Sequence, residues 1–177
     1  MMNKEVLTEF STRFNDLLLH LRSFNQDEID IVPFQDSWTA GHVIEHILKS
    51  ASSLSKLLLG KVAATERDPS EKVRQIREIF LNYSVKLQSP DFIQPIQPVH
   101  QKDKLVKDVE TTMQEIEAVI KTEDLSFTCL DFELPKLGLL TRLEWIWFVT
   151  YHTQRHTHQL KMIHQSLHAA QLKEENR

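Results

Sequence analysis

Apolar residues recur every three or four positions along almost the whole chain, and this helical period constrains the fold more than any other feature. Val6, Leu7, Phe10, Phe14, Leu17, Leu18 and Leu21 predict a first helix over about 3–24. Val43, Ile44, Ile47, Leu48, Leu54, Leu57 and Leu58 predict a second over about 38–59, capped by Asp36 or Ser37 and closed by Gly60. Val73, Ile76, Ile79, Phe80, Tyr83 and Leu87 give a third over about 71–88, behind Ser70 as cap. Leu105, Val106, Val109, Met113, Ile116, Val119 and Ile120 give a fourth over about 102–121. The last runs over about 142–170 and opens with Thr141-Arg142-Leu143-Glu144, a capping box in which each of the two side chains satisfies a backbone amide of the other.

The connections are as informative as the helices. Pro90, Pro95 and Pro98 make 89–101 extended, because each proline biases its predecessor away from helix. Between 122 and 140, Pro135 and Gly138 predict a loop, and the alternation of Phe127, Cys129, Leu130, Phe132 and Leu134 predicts a short extended piece within it. Five helical segments with two long connections predict an all-α four-helix bundle with one extra or broken helix.

Composition narrows the function. A chain of 177 residues predicts one domain spanning 1–177. Only 3 glycines argue against sandwiches, barrels and phosphate-cradling loops. The net charge of −4 excludes a nucleic-acid partner, which needs a basic surface. The longest wholly apolar run, Trp145–Val149, is far short of the roughly 20 residues that span a membrane. The start lacks the apolar run of a secretory signal, and Cys129 is the single cysteine, so a cytoplasmic protein without disulfides is expected.

The chain holds 9 histidines, and they cluster. His152 and His156 are four apart on the last helix, which places both imidazoles about 6 Å apart along one face. Thr153 stands where a zinc peptidase of the His-Glu-x-x-His type carries its base. On the second helix His42 and His46 are again four apart, and His46 falls in the apolar stripe of Val43 and Ile47. His46, His152 and His156 together would leave a further position open, the pattern of a catalytic metal site. His42 is the alternative to His46. The other histidines, His20, His158, His164 and His168, suit the helix surface, and His100 suits a solvated loop or a lid. Trp145, Phe148 and His152 share a face and could wall a pocket or simply fill the core.

Ser37-Trp38-Thr39-Ala40-Gly41-His42-Val43-Ile44-Glu45-His46-Ile47 and the late His152-Thr-Gln-Arg-His156-Thr-His-Gln159-Leu160 resemble the two motifs of the DinB/YfiT-like family, in the same order and separation. The resemblance implies a four-helix bundle, often a homodimer, with a divalent metal held by His46, His152 and His156. It implies either of two activities: thiol S-transfer, with bacillithiol, mycothiol or glutathione as co-substrate, or metal-dependent hydrolysis. Zinc and nickel are the first candidates for the ion, since neutral imidazoles suit borderline metals. An open position on such an ion can stabilise a thiolate that attacks a small electrophile, or lower the pKa of a water to about 7. A helical binding protein with a vestigial site is the non-enzymatic alternative. No residue reads as a general base: Glu45 is about 100° off the face of His46, and Gln159 suits a supporting role or an inter-helix bond. Trp145 and Trp147 are turned about 200° apart, so one of the two must look away from the core unless another layer covers it, and that one is the expected anchor for self-association.

Overall fold

The computed structural model describes residues 2–175. In chain order it contains α1 (Met2–Ser23), α2 (Ala40–Ala51), α3 (Leu54–Leu59), β1 (Val62–Ala63), α4 (Val73–Leu81), α5 (Lys102–Thr122), β2 (Thr128–Cys129) and α6 (Arg142–Glu175). The fold is all-α. Helix α1 packs on α5 and α6, α2 packs on the same two helices, and α4 lies against α6. Phe10, Phe14, Leu17 and Leu21 of α1 meet Val43, Ile44 and Ile47 of α2, Ile116 and Ile120 of α5, and Ile146, Val149 and Leu160 of α6 in one buried core. In α1, α2 and α5 most of the apolar period is the stripe that the helix buries, whereas Tyr83 and Leu87 lie beyond α4 and are exposed. Among the described residues, no helix is long and apolar enough to cross a membrane.

Both ways of departing from a minimal bundle occur: the second helix is broken and α4 is extra. The second segment is interrupted at Ser52 and Ser53, so α2 and α3 replace the single helix expected over 38–59. It starts two residues late as well. Thr39, rather than Asp36 or Ser37, is the cap, its Oγ1 accepting the His42 amide at 3.1 Å. Arg142 closes α3 from the far end of the chain, donating Nε to the Leu58 carbonyl at 2.7 Å. Gly60 does follow the helix, but at φ −76° it is not in the left-handed conformation. It is needed for space: a Cβ there would lie 2.2 Å from Asp131 Oδ2, the oxygen that accepts the Lys61 amide.

Helix α4 is shorter than the period predicts, ending at Leu81 instead of continuing to 88. An Asx turn follows, with the Ser84 amide on Asn82 Oδ1, and Arg155 Nη1 donates to the Phe80 and Asn82 carbonyls. Ser70 is not the cap of this helix; it closes a turn on Asp68 two residues earlier. Helix α6 opens as expected. Thr141 Oγ1 accepts the Glu144 amide at 3.1 Å, and Glu144 Oε2 accepts the Thr141 amide at 2.9 Å. Glu144 is fully buried and also takes both terminal nitrogens of Arg67 and the Lys72 amide, which anchors the segment leading into α4. The extended piece between α5 and α6 is β2, and its partner β1 pairs antiparallel to it through Val62–Cys129 and Ala63–Thr128.

Candidate metal centre

Three histidine side chains meet where α2 crosses α6. His46 Nε2 lies 3.0 Å from His152 Nε2, which lies 3.0 Å from His156 Nε2. All three residues are buried, and one ring nitrogen from each falls within 4.8 Å of the others. Among the described residues, this is the one such group of three or more histidine, cysteine or carboxylate side chains.

The outer nitrogen of each ring determines what the inner one offers. His46 Nδ1 faces the Ile93 carbonyl at 2.9 Å, an acceptor, so Nδ1 carries the hydrogen. Ser50 Oγ gives its own hydrogen to the Ile47 carbonyl and accepts from His152 Nδ1 at 3.3 Å. His156 Nδ1 donates to Gln159 Oε1 at 2.9 Å. With Nδ1 protonated in all three rings, each Nε2 presents a lone pair to the same point. Three lone pairs so close repel one another unless a positive charge lies among them. A proton is a poor candidate. Burial pushes His46 below its ordinary range, and it holds His152 well below that range, helped by the charges His156 and His46 would carry. Burial likewise pushes His156 down to about 3. A divalent cation suits the set better: neutral imidazoles, inner lone pairs free, outer N–H groups fixed by acceptors.

The cluster has aromatic walls. Phe148 stacks on His152 with centroids 5.9 Å apart, and Phe80 of α4 meets the same ring edge-on at 5.3 Å. Trp38 packs on His46 at 5.1 Å. Trp145 continues the wall behind Phe148 and is buried, while Trp147 is half-buried and stacks on Tyr151 at 5.1 Å along a groove bordered by α1 and α4.

A strap formed by residues 89–100 is fastened along α2. His42 Nε2 donates to the Gln97 carbonyl and Lys49 Nζ to the Gln94 carbonyl. Glu45 accepts the Ile96 and Gln97 amides. Burial would raise the Glu45 carboxyl, but these bonds, with those from Lys49 and His100, hold it down to about 2. His100 corrects the sequence reading: far from being a solvated loop residue, it is buried between Asp30 and Glu45, with Nδ1 2.6 Å from Asp30 Oδ1 and Nε2 3.2 Å from Glu45 Oε2. The strap then supplies the Ile93 carbonyl that orients His46. Gly41 leaves room for this fastening, since a Cβ there would sit 2.4 Å from His100 Nδ1 and 2.7 Å from Asp30 Oδ1. Gly41→Ala is expected to cost about 1–3 kcal/mol by unpairing buried polar groups, and thermal unfolding would show it as a lowered Tm. An unchanged Tm would mean the strap is not held this way.

Each histidine singled out in the sequence now has a place. His46, His152 and His156 come together; His42 does not join them and serves the strap. His158 turns away and stacks on Tyr83 at 4.4 Å. His20, His164 and His168 are half-buried on the outer surface. Gln159 supports His156 rather than bridging helices. The site roles of Ser50, Phe80, Ile93 and the Asp30–His100–Glu45 group do not follow from periodicity, which marks Phe80 only as an apolar helix residue, because these roles come from contacts distant in sequence. Cys129 is buried, and burial pushes its thiol up to about 11.

Fold and site thus define an all-helical bundle with a buried, metal-competent trio of histidines from two crossing helices. A family model described as the DinB superfamily matches residues 9–160, and the chain belongs to that family. An uncharacterized protein of Bacillus subtilis (strain 168), YuaE, is 23% identical over 155 residues, covering 85% of this chain and 91% of its own. No solved structure matches.

Proposed function

We propose that this chain is a metal-dependent enzyme that transfers a low-molecular-weight thiol to small electrophiles. The observation that carries the reading is the convergence of three bare Nε2 lone pairs in a buried site whose outer nitrogens are all committed. A borderline divalent ion, zinc or nickel first, would act there as a Lewis acid that lowers the pKa of whatever group takes its open positions.

The chain's own groups favour a thiol as that group. A free thiol has a pKa of about 8.5 against about 15.7 for water, so it needs far less help to ionise near neutral pH. Attack by water also calls for a base to collect the proton. Glu45, the carboxylate adjacent to His46 in sequence, is spent on the strap and stays ionised through its hydrogen bonds. Thr153 replaces the glutamate that performs this task in zinc peptidases. The sulfur must come from outside, because Cys129 is buried and held as the neutral thiol. Phe148 and Phe80 offer an apolar surface beside His152 for the carbon skeleton of an electrophile.

Incubation of the metal-loaded, tag-free chain with a small epoxide or alkyl halide, with and without a low-molecular-weight thiol, tests the reading. Turnover is expected only with both metal and thiol. Equal turnover without thiol would instead assign a hydrolase, and no turnover of any electrophile in a metal-replete chain would favour a binding protein.

A further inference from the structure

Helix α6 carries a second pair of histidines with the same spacing as His152 and His156. On α6, His164 Nε2 and His168 Nε2 approach to 2.9 Å, and their rings lie 4.1 Å apart at 67°. The equivalent separation within the buried trio is 3.0 Å. We infer a second metal site, formed by His164 and His168, that takes one borderline divalent transition ion from solvent.

Three features support it. Both residues are half-buried, so the pair can be reached from solvent. The His164 ring is not free to swing, because it meets Phe24 of α1 edge-on at 5.1 Å and 90°. A pair already oriented loses less rotamer entropy on binding. The site is also separate from the buried one: His156 and His164 are eight residues apart, about 12 Å along the helix, with fully buried Leu160 between.

The surroundings set its strength. Among the described residues no third histidine or carboxylate clusters with the pair as His46 does with His152 and His156. The nearby Asp16 carboxylate is engaged with His20 at 3.4 Å and Lys161 at 3.3 Å. A half-buried pair gives a weaker site than three buried histidines, and the ligand type selects zinc, nickel or copper over magnesium or calcium.

Calorimetric titration of the tag-free, chelator-stripped full chain with Zn2+ tests the inference. Two ions per chain are expected, in two affinity classes. His164→Gln and His168→Gln should each remove the weaker class and leave the tighter one, whereas His152→Gln should do the reverse. His158→Gln, which alters a solvent-facing histidine on the same helix, should leave both. Circular dichroism of each variant, with unchanged helix content, separates lost ligands from lost fold. A single ion per chain, or a weaker class that survives both His164→Gln and His168→Gln or disappears in His158→Gln, overturns the second site. If His152→Gln removes nothing while His164→Gln removes one class, the second site stands and the buried centre falls.

Discussion

His152→Ala is expected to weaken binding of a divalent transition ion by at least about 100-fold, more than the 10- to 100-fold that loss of a supporting residue costs. His152 is the middle ring of the trio, and its Nε2 is the atom both other Nε2 atoms approach. Its removal opens the cluster instead of trimming it. His46→Ala and His156→Ala should have the same effect, because each contributes one of three lone pairs and none can be replaced from the surroundings. His42→Ala should do much less: its ring donates to the Gln97 carbonyl and contributes only through the strap. Gln159→Ala should fall between, freeing the His156 ring to turn. Isothermal titration with the five single variants measures all of this. A His42→Ala chain that loses the ion while His46→Ala keeps it would reverse the assignment on α2.

The second large effect is a loss of stability in mild acid. For the metal-free chain, burial lowers all three histidines below the 6.5 expected of an exposed imidazole, His156 to about 3. The unfolded chain therefore binds protons that the folded chain refuses, between roughly pH 6.5 and the folded values. Stability should be flat above about pH 7, where both states are neutral, and should fall as the pH drops below 6.5. Each buried imidazole contributes up to about 1.4 kcal/mol per pH unit in that window. Glu45 adds to the decline lower down, since its folded value of about 2 lies below the ordinary 4.5. A bound ion competes for the same nitrogens, so its stabilisation should also fade below about pH 6. Urea unfolding at pH 7.5 and pH 5, with and without metal, reads both. Equal stability at the two pH values would contradict the buried, neutral state of the trio.

Much of this was legible in the sequence, and the remainder follows a physical pattern. Helices α1 and α5 match their apolar periods closely because each buries one continuous stripe, and α6 starts where its capping box places it but runs to Glu175, beyond the expected 170. The second segment misled because Leu54, Leu57 and Leu58 keep the period across the break at Ser52 and Ser53; periodicity records which side chains are buried, not whether the axis bends. Helix α4 stops early because its end is capped by Arg155, more than 70 positions away in the chain. The trio itself was readable, since two members share a helix face and the third lies in an apolar stripe. Its supports were not. Ile93 is 47 positions from His46, and His100 is 70 from Asp30 and 55 from Glu45, so only folding brings them together.

The central claim is that three Nδ1-protonated imidazoles aim bare Nε2 atoms at a single point. Long-range proton–nitrogen NMR of the histidine rings tests it directly, by reporting which nitrogen of each ring carries hydrogen. In the metal-free chain at pH 7.5, His46, His152 and His156 should all appear as the Nδ1–H form, and the first equivalent of Zn2+ should shift their three Nε2 signals before those of any other histidine. An Nε2–H form in any of the three, or a first equivalent that shifts other rings and leaves these unchanged, would contradict it.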